Sequence, residues 1–120
     1  MATKDDLSNE IEDAVFANTP LSYVTAKISA QTLHELKRGE IRWEAKLDLS
    51  GLDIQVARDT LYQFIHEQLQ QQKQYLLIHH GLDDIQGGPP LLKNLVNRWL
   101  PQFKNVAAFH SAHKNDGGFA

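Results

Sequence analysis

Residues 43 to 78 carry a pattern that few architectures accept. Trp43, Ala45, Leu47 and Leu49 alternate with Glu44, Lys46 and Asp48, the two-residue period of a strand with one apolar face. Gly51 ends that run and Asp53 offers a carboxylate as N-cap. Ile54, Ala57, Leu61, Phe64, Ile65 and Leu69 then recur at helical spacing. The helix runs out in the glutamine-rich stretch Gln68 to Gln74, read as a solvated helix end. Tyr75 to Ile78 follows as a short, wholly apolar strand. Strands alternating with helices in this way predict an α/β protein with helices layered on a sheet.

The rest of the chain extends the alternation. Pro89 and Pro90 close a loop and can open a helix, where a missing N–H costs nothing, and Leu91, Leu92, Leu95, Val96, Trp99 and Leu100 form its apolar stripe. Asn105 to Phe109 reads as a third strand and Lys114 to Gly118 as a turn. Trp43 and Trp99 both fall on apolar faces and are assigned to the core rather than to base stacking. Upstream, Leu7, Ile11, Ala14 and Val15 give Asp5 to Ala17 an amphipathic helical stripe. Asn18-Thr19-Pro20 breaks it, because a residue before proline is pushed out of helical geometry. Residues 18 to 28 read as a linker or extended arm, and Ser29 to Lys37 as a short helix stopped by Gly39. The organisation is thus an N-terminal helical extension or arm over residues 1–40 and a compact domain over residues 41–120.

Composition sets the outer limits. A chain of 120 residues that is 42% apolar suits one core rather than two independent ones. With no cysteine there is no disulfide framework and no thiolate metal site. The polar, acidic N-terminus lacks a signal core and no apolar run is long enough to span a bilayer, so the expectation is a soluble, cytoplasmic protein without a membrane partner. The formal charge of −3 is unevenly spread. Residues 1–72 hold 7 Lys+Arg against 12 Asp+Glu, whereas residues 73–120 hold 5 against 3 and four of the six histidines. An ATPase is excluded on motif grounds, since no Gly-x-x-x-x-Gly-Lys loop occurs.

Three segments resemble the signatures of the small MutS-related (Smr) domain, in that family's order. They are Asp48-Leu49-Ser50-Gly51, His80-Gly81-Leu82-Asp83, and the stretch from Ala108 through His110, His113, Lys114 and Asn115 to Gly117-Gly118. The resemblance implies a two-layer β-α-β-α-β(-β) sandwich with a mixed sheet. The family continues into a final apolar strand where this chain stops at Phe119-Ala120. A sandwich without its last strand, and an exposed sheet edge able to pair with another copy, are therefore expected.

The same resemblance implies a nuclease family that binds DNA or RNA and cleaves phosphodiesters. The candidate catalytic residues are Asp48, Ser50 and His80; those for nucleic-acid contact are Gly81, Lys93, His113, Lys114, Asn115, Gly117 and Gly118. Chemistry qualifies the reading. The family usually has histidine where Ser50 stands, and a serine hydroxyl donates a hydrogen bond but is no base near neutral pH. The family's lysine and glycine after His-Gly are replaced by Leu82 and Asp83, which weakens anion binding. Asp83 and Asp84 could instead join Asp48 around a divalent cation, magnesium or manganese, the one cofactor that these residues suggest. Histidine spacing alone, as in His110 and His113, does not make a metal site. Two functions follow: an endonuclease of altered site, or a non-catalytic module that binds nucleic acid or a ribosomal surface.

Overall fold

The computed structural model describes residues 7–8, 20–81 and 91–112. The helix expected over Asp5 to Ala17, apart from Leu7 and Ser8, lies outside the described residues, as do the loop after Gly81 and the turn from Lys114 to Gly118. In chain order the elements are β1 (Ser22–Val24), α1 (Ala30–Lys37), β2 (Ala45–Asp48), α2 (Ile54–Gln70), β3 (Leu76–His79), α3 (Leu91–Trp99), a 3-10 turn (Leu100–Gln102) and β4 (Ala108–His110).

The β2–α2–β3 unit forms where the hydrophobic periods place it. Asp53 is extended and its carboxylate accepts from the Val56 N–H at 2.9 Å, capping α2. Ala57, Leu61, Phe64, Ile65 and Gln68 form the buried stripe of that helix. β2 and β3 run parallel, with Ala45 beside Leu76 and Asp48 beside His79. Glu44 fastens the entry to this pair, its carboxylate accepting from the backbone N–H groups of Gln74 and Tyr75 at 2.8 and 3.1 Å. Those two charge-assisted bonds hold the Glu44 carboxyl below its ordinary pKa.

The core lies between α2, α3 and the inner face of the β2–β3 pair. Leu49, Ala57, Leu61, Ile65, Leu95, Val96, Trp99 and Phe103 are all buried there, joined by Leu7 from the N-terminal segment. Each large apolar side chain contributes about 1.5–3 kcal/mol on burial, so these contacts dominate the stability of the sandwich.

Four features depart from the sequence reading. Residues 18–28 include a strand: β1 pairs antiparallel with β4, Tyr23 beside Phe109, and Leu21 is buried. The third strand of the sequence reading begins at Ala108 instead of Asn105, because the chain first closes a turn in which the Val106 N–H donates to the Phe103 carbonyl. The ladders form two separate two-stranded sheets, β1–β4 and β2–β3, among the described residues. Trp43 is 41% exposed while Trp99 is fully buried. Alternation placed Trp43 on the apolar face of a strand, but pairing starts only at Ala45, which leaves the indole beyond the end of the covered sheet.

Candidate nucleic-acid interface at the ends of the parallel strands

β2 ends at Asp48, whose side chain stands on the exposed face, and the chain then turns through Ser50 and Gly51. Ser50 folds back onto it. The Asp48 Oδ1 accepts from the Ser50 N–H at 2.9 Å and from the Ser50 hydroxyl at 2.5 Å. This is an Asx turn closed twice, and it follows from an acid followed two residues later by a hydroxyl. The Ser50 hydroxyl, then its N–H, hold the Asp48 carboxyl below the usual carboxylate range, with smaller contributions from His79 and Lys46.

β3 ends in register beside it. His79 is the cross-strand partner of Asp48 on the same face of the sheet. His80 turns to the opposite side and is 6% exposed. Its Nδ1 lies 2.8 Å from the Gly81 carbonyl, an acceptor only, so Nδ1 carries the proton there and in the neutral ring the lone pair sits on Nε2.

The two turns touch. Gly81 has φ +79°, and a Cβ built on it would fall 2.6 Å from the Ser50 Cβ. Only glycine fits that approach, so His80-Gly81 and Asp48-Leu49-Ser50-Gly51 form one continuous surface. Gly51 also has positive φ, at +80°, but a Cβ there would meet open space.

The structure therefore brings Asp48, Ser50 and Gly81 together, with His80 next to Gly81 but buried on the opposite side from Asp48. It sets Lys93 apart, at 5% exposed on α3. The sequence reading offers this lysine for nucleic-acid contact, but α3 is buried from Leu92 through Val96, well beyond its apolar stripe. Burial pushes the Lys93 ammonium below its ordinary pKa. His113, Lys114, Asn115, Gly117 and Gly118 lie outside the described residues. The sequence places His79 and His80 at the end of the second strand on opposite faces without assigning His79 to the site; the parallel register puts it, the last residue of β3, beside Asp48, the last residue of β2.

Chemically, this surface offers one carboxylate with a donor-rich turn around it and the His79 imidazole beside it, while the His80 imidazole, oriented by a backbone carbonyl, lies buried on the other side. Among the described residues no three His, Asp or Glu side chains converge to hold a cation. Asp83 and Asp84, expected to assist Asp48 in that task, lie outside the described residues.

Comparison with known proteins gives a consistent picture. The Smr domain profile matches residues 47–120. The ribosome rescue factor SmrB of Aeromonas hydrophila is 32% identical over 92% of this chain and 61% of its own length. The protein of the same name from Tolumonas auensis is 33% identical over 94% of this chain and 62% of its own. That of Buchnera aphidicola is 36% identical over 88% and 57%. The chain thus spans about three fifths of the length of the curated relatives it matches. Among solved structures, the crystal structure of YdaL, a stand-alone small MutS-related protein from Escherichia coli, superposes with a TM-score of 0.76. It covers 97% of this chain and 92% of its own at 24% identity, a likeness of fold.

Proposed function

The chain belongs to the Smr domain family, and from that premise we propose that it is a nucleic-acid-binding module acting on bacterial ribosomes in the cytoplasm, without cleaving what it binds. The relatives named ribosome rescue factors support the target. The observation that carries the non-catalytic part is the closed Asp48–Ser50 turn. Both hydrogens that Ser50 can donate go to the carboxylate, and the hydroxyl offers no base to activate water or a ribose hydroxyl. Asp48 then acts as a fixed charge that shapes the turn, and Gly81 lets a phosphate backbone approach closely. His79, His113, Lys114, Asn115, Gly117 and Gly118 border the contact in this reading, and Lys93 is left out of it.

A catalytic reading keeps one specific support. His80 is buried next to Gly81 with its tautomer set, a feature of a proton-transferring imidazole, on the side of the strand away from Asp48. In that case Asp48 orients the attacking group and His80 moves the proton. A divalent cation enters either reading only as a variable to be tested.

One experiment separates them. The chain and its Asp48→Ala variant are sedimented with bacterial ribosomes, and both are incubated with structured RNA and supercoiled plasmid in magnesium, manganese or chelator. Co-sedimentation at low salt with every substrate left intact is the expected result. Cleavage that Asp48→Ala abolishes would make the chain a nuclease, and failure to bind ribosomes or RNA would sink the proposal.

A further inference from the structure

Leu7 is set into the core at 2% exposed, although it lies far in sequence from the helices that build that core. Its neighbour Ser8 is gripped through the main chain. The Ser8 N–H donates to the Gln102 Oε1 at 3.0 Å, and the Gln102 Nε2 donates to the Ser8 carbonyl at 3.3 Å. A side-chain amide thus pairs with a backbone as a neighbouring strand would. From α2, the Arg58 Nη1 reaches the Leu7 carbonyl at 3.4 Å. We propose that this contact is an autoinhibitory strap: Leu7 and Ser8, when seated, withhold Arg58 from a nucleic-acid phosphate, and their release adds that cation to the binding surface. The inference rests on the nucleic-acid reading of the joined turns and concerns how access to them is regulated.

Charge supplies the first argument. Residues 1–17, which carry the strap, hold Lys4 against Asp5, Asp6, Glu10, Glu12 and Asp13, whereas residues 18–120 hold 11 Lys+Arg against 10 Asp+Glu. The strapped segment therefore accounts for the whole negative balance of the chain, and it is fastened at two arginines. Arg58 touches it directly, and Arg98 is linked to it through Gln102, whose Nε2 also donates to the Arg98 carbonyl at 3.1 Å. A polyanionic segment tethered there competes with RNA for the same cations. Position fits as well. Arg58 lies one turn into α2, which starts at Ile54 directly after the turn from Asp48 to Gly51, so it stands at the end of the helix nearest the joined turns.

A second observation is independent of the charge count. The Nε of Arg58 and the Nε of Arg98 are both enclosed without a hydrogen-bond partner. Of the other Arg58 bonds, the Nη2 donates to the Gln55 Oε1 at 3.0 Å, and the bond to the Leu7 carbonyl is long. Leaving a buried donor unmade costs about as much as burying one leucine gains, so the seated strap is held by a small net free energy. A phosphate oxygen is the charge-assisted acceptor that such a guanidinium lacks.

The probe is a fluorescein-labelled oligouridylate, with amide exchange at Ser8 reporting whether the strap is seated. Leu7→Ser and Gln102→Ala should each speed Ser8 exchange and tighten RNA binding several-fold at low salt, with a log–log salt slope steeper by about 0.7, the share of one further phosphate. Adding Arg58→Gln to Leu7→Ser should cancel the gain, which a merely loosened core would not do. If Leu7→Ser fails to fold, the unaltered chain decides: because strap and RNA exclude one another, saturating RNA should accelerate Ser8 exchange about tenfold or more while Leu61 in the core is unchanged. Unaltered RNA affinity in a variant whose Ser8 amide exchanges freely would overturn the proposal and leave the nucleic-acid reading standing, as would Ser8 exchange indifferent to bound RNA. Absence of RNA binding by every form would remove that reading and this inference with it. Ser8 protection that grows with protein concentration would overturn the strap as well, because it would then come from a second copy.

Discussion

Single residues at the joined turns make the sharpest demands. Gly51 and Gly81 share nearly the same backbone angle, φ +80° and +79°, but only Gly81 sits against another residue. A left-handed conformation costs an L-residue about 1–2 kcal/mol, so Gly51→Ala should destabilise by about that much in urea unfolding. Gly81→Ala carries the same cost plus a 2.6 Å approach to the Ser50 Cβ and should exceed it by at least about 1 kcal/mol. Ser50→Gly removes the atom struck, so the double variant should recover that excess, a coupling of the size measured for residues in contact. Equal losses at the two glycines would show that the turns do not touch. Asp48 gives a pH-dependent counterpart. Its folded pKa is depressed by the Ser50 hydroxyl and N–H, so the stability this turn contributes is present above the ordinary carboxylate range. It is lost as pH falls through the lowered value. Ser50→Ala should raise the Asp48 pKa, read by carboxyl carbon chemical shifts, and flatten the acid limb of the stability curve; an unmoved titration would mean that the turn is open in solution.

At the scale of elements, β1 is the least secure and the most testable. It is three residues long, held by its ladder to β4, by the Thr25 hydroxyl donating to the Ala107 carbonyl at 2.7 Å, and by Tyr23 stacked on Phe109 at 5.2 Å between centroids. Tyr23→Ala should cost about 1–2 kcal/mol, the worth of an aromatic pair with its buried area. The loss should be local, with amide exchange at Thr25 and Ser111 accelerating well before α2 responds; uniform acceleration would place β1 inside the main cooperative unit. The strand also shows where sequence reading stops. β2, α2 and β3 were legible because their periods are strong and because Gly51 and Asp53 mark the boundaries by mechanism. β1 was not, since three residues carry no period and its partner lies near the other end of the chain. Trp43 misled for a related reason: alternation gives the face a residue occupies, not the point at which the neighbouring strand begins to cover it. The Asp48–Ser50 turn could be read from spacing alone, whereas the Ser50–Gly81 contact depends on parallel register, which no local pattern contains.

For the whole molecule the deciding quantity is how much positive charge a net −3 chain can bring to a phosphate backbone. The C-terminal half carries the favourable balance, but the fold withdraws much of it. Lys93 is buried on α3, Lys73 lines a groove beside β3, and Arg98 is half-buried with its Nε enclosed and without a hydrogen-bond partner. Lys104 is exposed, and its carbonyl accepts from the Lys27 ammonium, which brings two cations to one turn. If Lys27, Lys104 and Lys46, exposed on the Asp48 face of β2, are the charges that meet phosphates, affinity for single-stranded RNA should fall with a log–log salt slope of about −2. That is about a tenfold loss between 50 and 200 mM salt, against the thousandfold or greater loss of a protein making six to ten phosphate contacts. Lys104→Ala should reduce the slope by about 0.7, the share of one released counterion, while Lys93→Met should leave it unchanged. A measured slope steeper than about −5 would require more phosphate contacts than these cations supply and would move the binding surface elsewhere on the chain. A shallow slope with retained ribosome association would mean that recognition rests on shape and hydrogen bonding at the joined turns, with charge a minor partner.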